Sequence, residues 1–456
     1  MIMKNISYII CCFVTFIYMN GCKKFVTIPT PKNQITTAQV FADSADAAAA
    51  ILNVYITSGG LSNGINGYGM SLIPGLSSDE LYQTGSNSDY QQFYVNNVLP
   101  ANSTNLGLWS GAYTNIYNAN ACISGITGST GISAAAKTQL VSEAKFIRAF
   151  EFFYLVNLYG AVPLPVTTEY IVNADMPRTA PPGVYALIIS DLTAAEQGLP
   201  PYAGTNTRPT ASAASALLAK VYLYDGKYAL AQAEAAKVIN SGNFALENNL
   251  NNVFLTTSRE IIWQLASISP NEGSGDGLVF VPSSAATLPR YVITPSLFNS
   301  FESGDMRKSA WITVNVVNGT SYPFPYKYKL GVTTSAIDEY EVLLRLADIY
   351  LIRAEAEANQ NDETDAAKDI NVIRNRAGLQ NTTATTQAEL LQVLQNERRW
   401  EFFCERGNRW FDLKRWNLAT TALSPVKTGW DPHDQLYPVP EAQINDNPYL
   451  TQNAGY

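Results

Sequence analysis

The chain has 456 residues, of which 46% are hydrophobic and 15% are charged, a composition that can bury a large core. Its net charge of -8 and its sequence pI of about 4.9 exclude the basic surface that a nucleic-acid-binding protein needs, so no nucleic-acid partner is expected. The single histidine, His433, stands in a proline-rich segment with no cysteine near it. We therefore expect no metal site and no cofactor.

The first residues have the pattern of a secretory signal peptide. Lys4 precedes an apolar run that ends at Met19 and is too short to span a bilayer comfortably. The segment MNGC, which ends at Cys22, resembles a bacterial lipobox with methionine in place of the usual leucine. We predict a lipoprotein signal peptide at 1–21, lipidation of Cys22 and an extended Thr/Pro-rich tether at 22–37. The alternative is an ordinary signal peptide with an incidental cysteine.

Helical periodicity dominates the rest of the chain. The clearest pattern is an alanine-rich helix pair from Ala213 to Val238 that turns at Gly226, and a similar pair runs from Leu343 to Ala377. Such pairs resemble the tetratricopeptide repeat of about 34 residues. The sequence therefore predicts a mainly α fold built on helix-pair repeats.

Other regions lose the helical period. From Leu61 to Thr104, Gly, Ser and Asn predict a long loop, which in a compact domain is usually functional. Later, apolar strand-like runs, one of which contains Trp263, alternate with loops that contain proline. We predict a single domain at 38–456, composed of helical repeats (38–242 and 338–416), a loop and short-strand insert (243–337) and a C-terminal loop tail (417–456).

One stretch near the C terminus combines acids, bases and aromatic rings. It runs from Glu397 to Trp416, and ten of its twenty residues are charged. Because rings favour burial and charges do not, we interpret it as a structural, buried lattice of ion pairs. An anion or carboxylate site is the alternative. The predicted members of the lattice are Glu397, Arg398, Glu401, Arg409, Asp412 and Arg415.

Several motifs together resemble the SusD/RagB-like family of outer-membrane nutrient-binding lipoproteins of Bacteroidetes. They are EAKFIRA (143–149), LLRLADIYLIRAEA (343–356), INVIRNRAG (370–378), FDLKRW (411–416) and YPVP (437–440). The likeness spans nearly the whole chain in the family's order. One such motif would be weak, but the set is specific.

The resemblance implies a surface-exposed, lipid-anchored protein of the outer membrane, built on about four tetratricopeptide-like helix pairs that form a right-handed scaffold. It further implies a lid over a TonB-dependent, SusC-like barrel, which captures a glycan or oligosaccharide without breaking a bond. Peptides and other nutrients are also compatible with the family. Ligand identity would be set by the variable loops.

Carbohydrate binding places aromatic rings against the CH faces of a sugar and polar side chains on its hydroxyls. Loop residues of these types are the predicted ligand-binding candidates: Tyr68, Asp79, Tyr82, Tyr90, Tyr291, Trp311 and Trp430. Loop aromatics also pin loops to a core, which is the alternative for each ring. Asp79 has two further alternatives, a helix cap and a cation ligand. Trp263 is predicted to belong to the core.

Two other functions remain open from the sequence. A lipid-anchored glycoside hydrolase needs only two suitably spaced carboxylates, but no acidic pair stands out among the aromatic loops. A protein-binding repeat scaffold needs only a concave helical face, and the long aromatic loops argue against it. We expect a binding protein that is not an enzyme.

Overall fold

The computed structural model describes residues 37–58, 64–267, 273–331 and 338–456. The predicted signal peptide, Cys22 and all but the last residue of the predicted tether lie outside these ranges. The described chain is mainly α-helical, as predicted, and none of its helices is both long and apolar enough to cross a bilayer.

The helices of the first half begin at recognisable caps. Asn102 and Ser133 accept the first backbone hydrogen bonds of the two longest helices, and Pro181 occupies the first turn of a third. These helices are α1 (Thr37–Val40), α2 (Ser44–Ser58), α3 (Gly69–Ser77), α4 (Ser88–Val95), α5 (Ser103–Gly128), α6 (Ala134–Tyr159), α7 (Tyr170–Ala174), α8 (Pro181–Gly198), α9 (Ala211–Tyr224) and α10 (Tyr228–Asn240).

The helices of the second half are shorter. Thr386 and Glu389 form a reciprocal capping box at the start of the longest of them. These helices are α11 (Gly275–Phe280), α12 (Pro295–Phe298), α13 (Met306–Trp311), α14 (Leu346–Ala358), α15 (Glu363–Arg376), α16 (Gln387–Glu401), α17 (Asn408–Arg415), α18 (Ala419–Leu423) and α19 (Glu441–Asp446).

The strands of the described chain form small antiparallel pairs. The pairs are β1 (Leu81–Gln83) with β3 (Tyr291–Ile293), β2 (Ile261–Leu265) with β6 (Glu341–Arg345), and β4 (Ile312–Val317) with β5 (Thr320–Pro325). The predicted strand-like runs correspond to β2 and β4.

The long helices pack in sequence. α5, α6, α8, α9, α10, α14 and α15 each contact the next, and α16 packs against α14 and α15. Trp263 of β2 lies in the core, as predicted, with Phe146 and Phe150 edge-on to its ring at centroid distances of 4.9 and 5.0 Å. The helix-pair repeats therefore form one continuous stack.

The prediction of a long loop from Leu61 to Thr104 is wrong. This region contains α3, β1, α4 and the start of α5. Every residue of α3 is buried, so the helix has no polar face and its sequence lacks the amphipathic period on which the prediction depended. Leu343, predicted to begin a helix, lies in the wholly buried β6 instead.

The C-terminal tail, predicted as a loop at 417–456, is partly buried and partly helical. Tyr437 and Val439 are almost completely buried, and the backbone N–H of Tyr437 donates to the carbonyl of Leu158 over 2.9 Å. The tail also contains α18 and α19. It therefore completes the core at the end of α6.

Candidate functional site

Three of the candidate residues, Tyr68, Tyr90 and Tyr291, lie together, and we call them the tyrosine cluster. The ring centroids of Tyr90 and Tyr291 are 6.1 Å apart, with their planes inclined by 60°. The hydroxyls of Tyr68 and Tyr90 are close enough to shift each other's pKa. Tyr291 is 8% exposed, whereas Tyr68 and Tyr90 are half-buried. The tyrosine cluster thus combines one buried ring with two partly exposed rings.

A short strand pair brings these tyrosines together from distant parts of the sequence. Tyr291 begins β3 and lies opposite Gln83 of β1. Tyr90 stands in α4, which Asn87 caps directly after β1, and Tyr68 immediately precedes α3. The tyrosine cluster therefore depends on the pairing of β1 with β3.

Two amide side chains border the tyrosine cluster. The Nε2 of Gln83 donates to the carbonyl of Asn87 over 2.9 Å and to Oε1 of Gln91 over 3.0 Å. Oε1 of Gln83 and Nε2 of Gln91 have no hydrogen-bond partner in the described chain and can bond ligand hydroxyls. Neither glutamine was among the predicted candidates. Their only signal was that they flank the predicted candidates Tyr82 and Tyr90.

The tyrosine hydroxyls stay uncharged at physiological pH. Burial raises the pKa of Tyr68 and of Tyr291. Burial and the adjacent Tyr68 hydroxyl raise the pKa of Tyr90 to about 12. A neutral phenol both donates and accepts hydrogen bonds, so the tyrosine cluster offers aromatic faces and uncharged hydroxyls side by side.

Lys427, in the C-terminal tail, holds the two helices next to the tyrosine cluster. Its Nζ donates to the carbonyls of Leu76 in α3 and of Tyr94 in α4, each over 2.7 Å. It also lies 4.2 Å from the centroid of the Tyr94 ring. Lys427 is 5% exposed, and burial lowers its pKa to about 7.

Tyr82 lies outside the tyrosine cluster. Successive side chains of a strand point to opposite faces, so Tyr82 faces away from Gln83 and from Tyr291 opposite it. Burial raises the pKa of Tyr82, with smaller effects from Tyr322 and Tyr94. Tyr82 therefore belongs to the other face of the strand pair.

The assignment of Asp79 as a ligand-binding residue is wrong. Asp79 is 5% exposed, and its two oxygens accept hydrogen bonds from Arg409 over 2.8 and 3.0 Å and from Arg399 over 2.7 Å. Burial alone would raise its pKa, but Arg409 and Arg399 outweigh burial and lower it to about 2. Asp79 is a member of the ion-pair lattice. The described residues contain no group of His, Cys, Asp and Glu side chains suited to hold a metal ion.

The assignment of Trp311 as a ligand-binding residue is also wrong. Its ring is completely buried, and its Nε1 donates to the carbonyl of Leu250 over 3.0 Å. Trp430 is half-buried, packs edge-on against Trp410 at 6.0 Å and donates from Nε1 to Thr420 over 3.3 Å. The contacts of Trp430 are thus with α17 and α18, and no ring contact joins it to the tyrosine cluster in the described chain.

The charged stretch forms buried ion pairs with distant residues. Glu401 is fully buried and pairs with Arg307, Arg345 and Arg376. Burial alone would raise its pKa, but Arg376, Arg345 and Arg307 outweigh burial and hold it well below its usual range. Both carboxylate oxygens of Glu401 already accept hydrogen bonds from arginines, so Glu401 is not available to bind a ligand.

The other predicted lattice members are paired in the same way. Arg398 joins Asp348 to Asp412 over 2.9 and 2.7 Å. The remaining pairs are Glu397 with Arg307 and Arg374, Arg409 with Asp79, and Arg415 with Glu355 and Asp412. The geometry is that of a structural lattice.

Comparisons with known proteins point to one family. A family model described as the SusD family matches residues 299–456, and one described as "starch-binding associating with outer membrane" matches residues 37–223. A SusD-like protein of Formosa agariphila is 25% identical over 514 aligned positions, which cover 99% of each chain.

Solved structures share the fold. A SusD superfamily protein from Bacteroides vulgatus superposes with a TM-score of 0.80 at 22% identity, covering 91% of this chain and 99% of its own. A laminarin-binding SusD-like protein superposes with a TM-score of 0.75 at 24% identity, covering 90% of this chain and 99% of its own.

Proposed function

The chain belongs to the SusD/RagB family, and from this premise we propose that it is a cell-surface glycan-binding lipoprotein that captures its ligand without cleaving it. The tyrosine cluster is the proposed contact with the sugar. The observation that carries this assignment is the convergence of Tyr68, Tyr90 and Tyr291 beside the amides of Gln83 and Gln91. Rings next to amides match the CH faces and hydroxyls of a sugar.

Similar proteins support the ligand class. One matching family model is described as starch-binding, and one similar solved structure is described as laminarin-binding. The uncharged state of the tyrosine cluster favours neutral glycans of this kind over acidic ones.

A non-enzymatic role fits the charges near the tyrosine cluster. Asp89 is the carboxylate that contributes to the raised pKa of Tyr90. It accepts hydrogen bonds from the backbone N–H and the hydroxyl of Ser103 over 3.1 and 2.5 Å. A glycoside hydrolase needs two carboxylates that flank the scissile bond, whereas Asp89 is committed to the start of α5.

The leader and the family both support the proposed location. The lipobox that ends at Cys22 and the description of one family model as associating with the outer membrane support a lipid anchor in that membrane, with the body facing the exterior. In this arrangement the protein acts as the lid of a TonB-dependent, SusC-like barrel and delivers the captured glycan to it.

The first test is native affinity electrophoresis of the protein without residues 1–22, in gels cast with laminarin, starch, xylan or mannan. The double variant Tyr68→Ala/Tyr90→Ala is compared with Tyr82→Ala, which removes a tyrosine from the opposite face of the same strand pair. We expect the wild type and Tyr82→Ala to be retarded by one polysaccharide. The double variant should bind at least about tenfold more weakly, because two ring contacts are lost.

Other outcomes would change the assignment. Equal retardation of the double variant would show that the sugar binds elsewhere, and release of reducing ends from the polysaccharide would show a hydrolase. If the intact lipoprotein co-purifies with an outer-membrane barrel but is retarded by no glycan, a peptide ligand or a protein-binding scaffold gains support.

A further inference from the structure

A second concave site lies along α5. The cleft between α5, the segment 163–174 and the region of α19 has a volume of about 480 Å³, within the range of small-molecule sites. No residue of the tyrosine cluster lines it. We call it the α5 cleft.

The α5 cleft exposes aromatic rings on two of its walls. Tyr117 of α5 is 52% exposed and Tyr170 of α7 is 80% exposed, and both line the cleft. Exposed phenol rings of this kind offer faces on which the CH groups of a sugar can stack.

The base of the α5 cleft is buried and fixed. Trp109 is 2% exposed, and its ring centroid lies 5.0 Å from that of Tyr113. The hydroxyl of Tyr113 donates to the carbonyl of Pro163 over 2.8 Å, and the amide of Asn120 donates to the carbonyl of Pro165 over 3.0 Å. The two walls are therefore bonded to each other, and binding would require little ordering of the chain.

The polar groups of the α5 cleft suit an uncharged ligand. Gln443 and Asp446 line it, and neither side chain has a hydrogen-bond partner in the described chain. Asp446 is the only charged side chain among the residues that line the cleft. Arg148, behind the wall, donates to Oδ1 of the lining residue Asn120, but its guanidinium is already paired with Asp191. An anionic sugar would therefore meet a carboxylate and no unpaired cation in the wall. Neutral hydroxyls can donate to Asp446 and bond Gln443.

From this combination of rings, amide and lone carboxylate, we propose that the α5 cleft is a second saccharide site that takes a short uncharged stretch of glycan. This inference rests on the proposed function only in taking the ligand to be a glycan. Two sites on one protein can hold the same polysaccharide at once, which strengthens retention through effective concentration without any new contact.

The test compares Tyr117→Ala/Tyr170→Ala with the control Ile171→Ala. Ile171 is 87% exposed in the same helix as Tyr170 but does not line the cleft. Because all three side chains are exposed, each variant should keep the melting temperature of the wild type. The gels with laminarin, starch, xylan and mannan should show the double variant binding at least about tenfold more weakly, with Ile171→Ala unchanged.

Calorimetry gives an independent measure. Short oligosaccharides prepared from the retained polysaccharide should bind the wild type at two sites. Tyr117→Ala/Tyr170→Ala should retain one site, and so should Tyr68→Ala/Tyr90→Ala.

The two proposals fail separately. Retention that is lost in Tyr68→Ala/Tyr90→Ala but unchanged in Tyr117→Ala/Tyr170→Ala would overturn the second site alone. The converse would overturn the tyrosine cluster and leave the α5 cleft as the glycan site. If the wild type is retained by none of the four polysaccharides, or if the cleft instead binds an oligolysine peptide in a salt-dependent manner, the saccharide proposal is overturned.

Discussion

The carboxylate of Asp79 accepts two hydrogen bonds, of 2.8 and 3.0 Å, from the guanidinium of Arg409, which follows it by 330 residues in the chain. This pair joins the segment after α3 to α17 and thereby couples the region of the tyrosine cluster to the C-terminal lattice. Arg399 of α16 adds a third contact to Asp79.

Replacing Asp79 should therefore destabilise the fold. Asp79→Asn leaves Arg399 and Arg409 buried without their counter-charge, and we expect a loss of about 3–5 kcal/mol in the free energy of unfolding at pH 7. Urea denaturation measures it. Because the folded pKa of Asp79 is about 2 rather than 3.8, its stabilisation is present above pH 4 and lost as the pH falls through 2. The difference in unfolding free energy between wild type and Asp79→Asn should therefore shrink as the pH falls from 4 to 2. A constant difference would refute the ion-pair explanation.

Glu80, next to Asp79, should affect the pH dependence of stability in the opposite direction. It is completely buried, its Oε2 accepts from the backbone N–H of Cys404, and its Oε1 has no partner in the described chain. Burial, and then the negative charge of Asp79, raise the pKa of Glu80 from 4.5 to about 8. Below pH 4.5 the carboxyl of Glu80 is protonated and its burial costs no charge. The stability of the folded protein therefore falls as the pH rises from 4.5 through 8 and Glu80 ionises.

Glu80→Gln should accordingly become more stabilising as the pH rises. We expect little difference from wild type at pH 5 and a gain of at least about 1 kcal/mol at pH 9, because the variant has no charge to bury. Melting temperatures at pH 5, 7 and 9 provide the measurement. A larger gain at pH 5 than at pH 9 would contradict the assigned direction of the pKa shift.

Alanine variants of Trp311 and Trp430 should differ in stability, because only the ring of Trp311 is completely buried. Trp311→Ala removes a completely buried ring and should lower the free energy of unfolding by about 3–5 kcal/mol. The loss for Trp430→Ala should be smaller, because Trp430 is half-buried. Chemical denaturation compares the two. Neither change should abolish glycan retention by the folded protein, and abolition by Trp430→Ala alone would return that residue to the binding site.

Lys427 should influence binding without touching the ligand. Lys427→Met leaves the carbonyls of Leu76 and Tyr94 without their donor, and each unpaired buried group costs about 1–3 kcal/mol. We expect lower stability and weaker glycan retention, since α3 and α4 position Tyr68 and Tyr90. Lys368→Met is the control because its side chain is 69% exposed. Unchanged retention in a destabilised Lys427→Met would show that the tyrosine cluster does not depend on this anchor.

Glycan retention should be independent of pH between 5 and 9, even though the pKa of Lys427 is about 7, because a neutral lysine amine can still donate to the carbonyls of Leu76 and Tyr94. The pKa of Tyr90 is raised to about 12, and those of Tyr68 and Tyr291 are also raised, so the hydroxyls stay protonated throughout. Affinity gels run at pH 5, 7 and 9 test this. A loss of retention toward pH 5 would indicate that a carboxylate contributes to binding, and Asp89 and Asp446 would be the first residues to change.

The sequence by itself determined the features that depend on local pattern. Periodicity located the helix pairs of α9 with α10 and of α14 with α15, because an amphipathic helix records its buried face in residue spacing. The high density of acids, bases and rings from Glu397 to Trp416 indicated a buried lattice. The motifs indicated the family, since they recur in the family's order.

Only the tertiary structure decided which residues meet. Tyr90 and Tyr291 converge through the pairing of β1 with β3, and Asp79 meets Arg409 across most of the chain. Neither contact can be predicted from the nearby sequence, because the composition of a loop does not indicate which distant element the loop will contact. The same reason explains the errors: Trp311 and the residues of α3 are buried on every side, and complete burial removes the polar face from which exposure is inferred in a sequence.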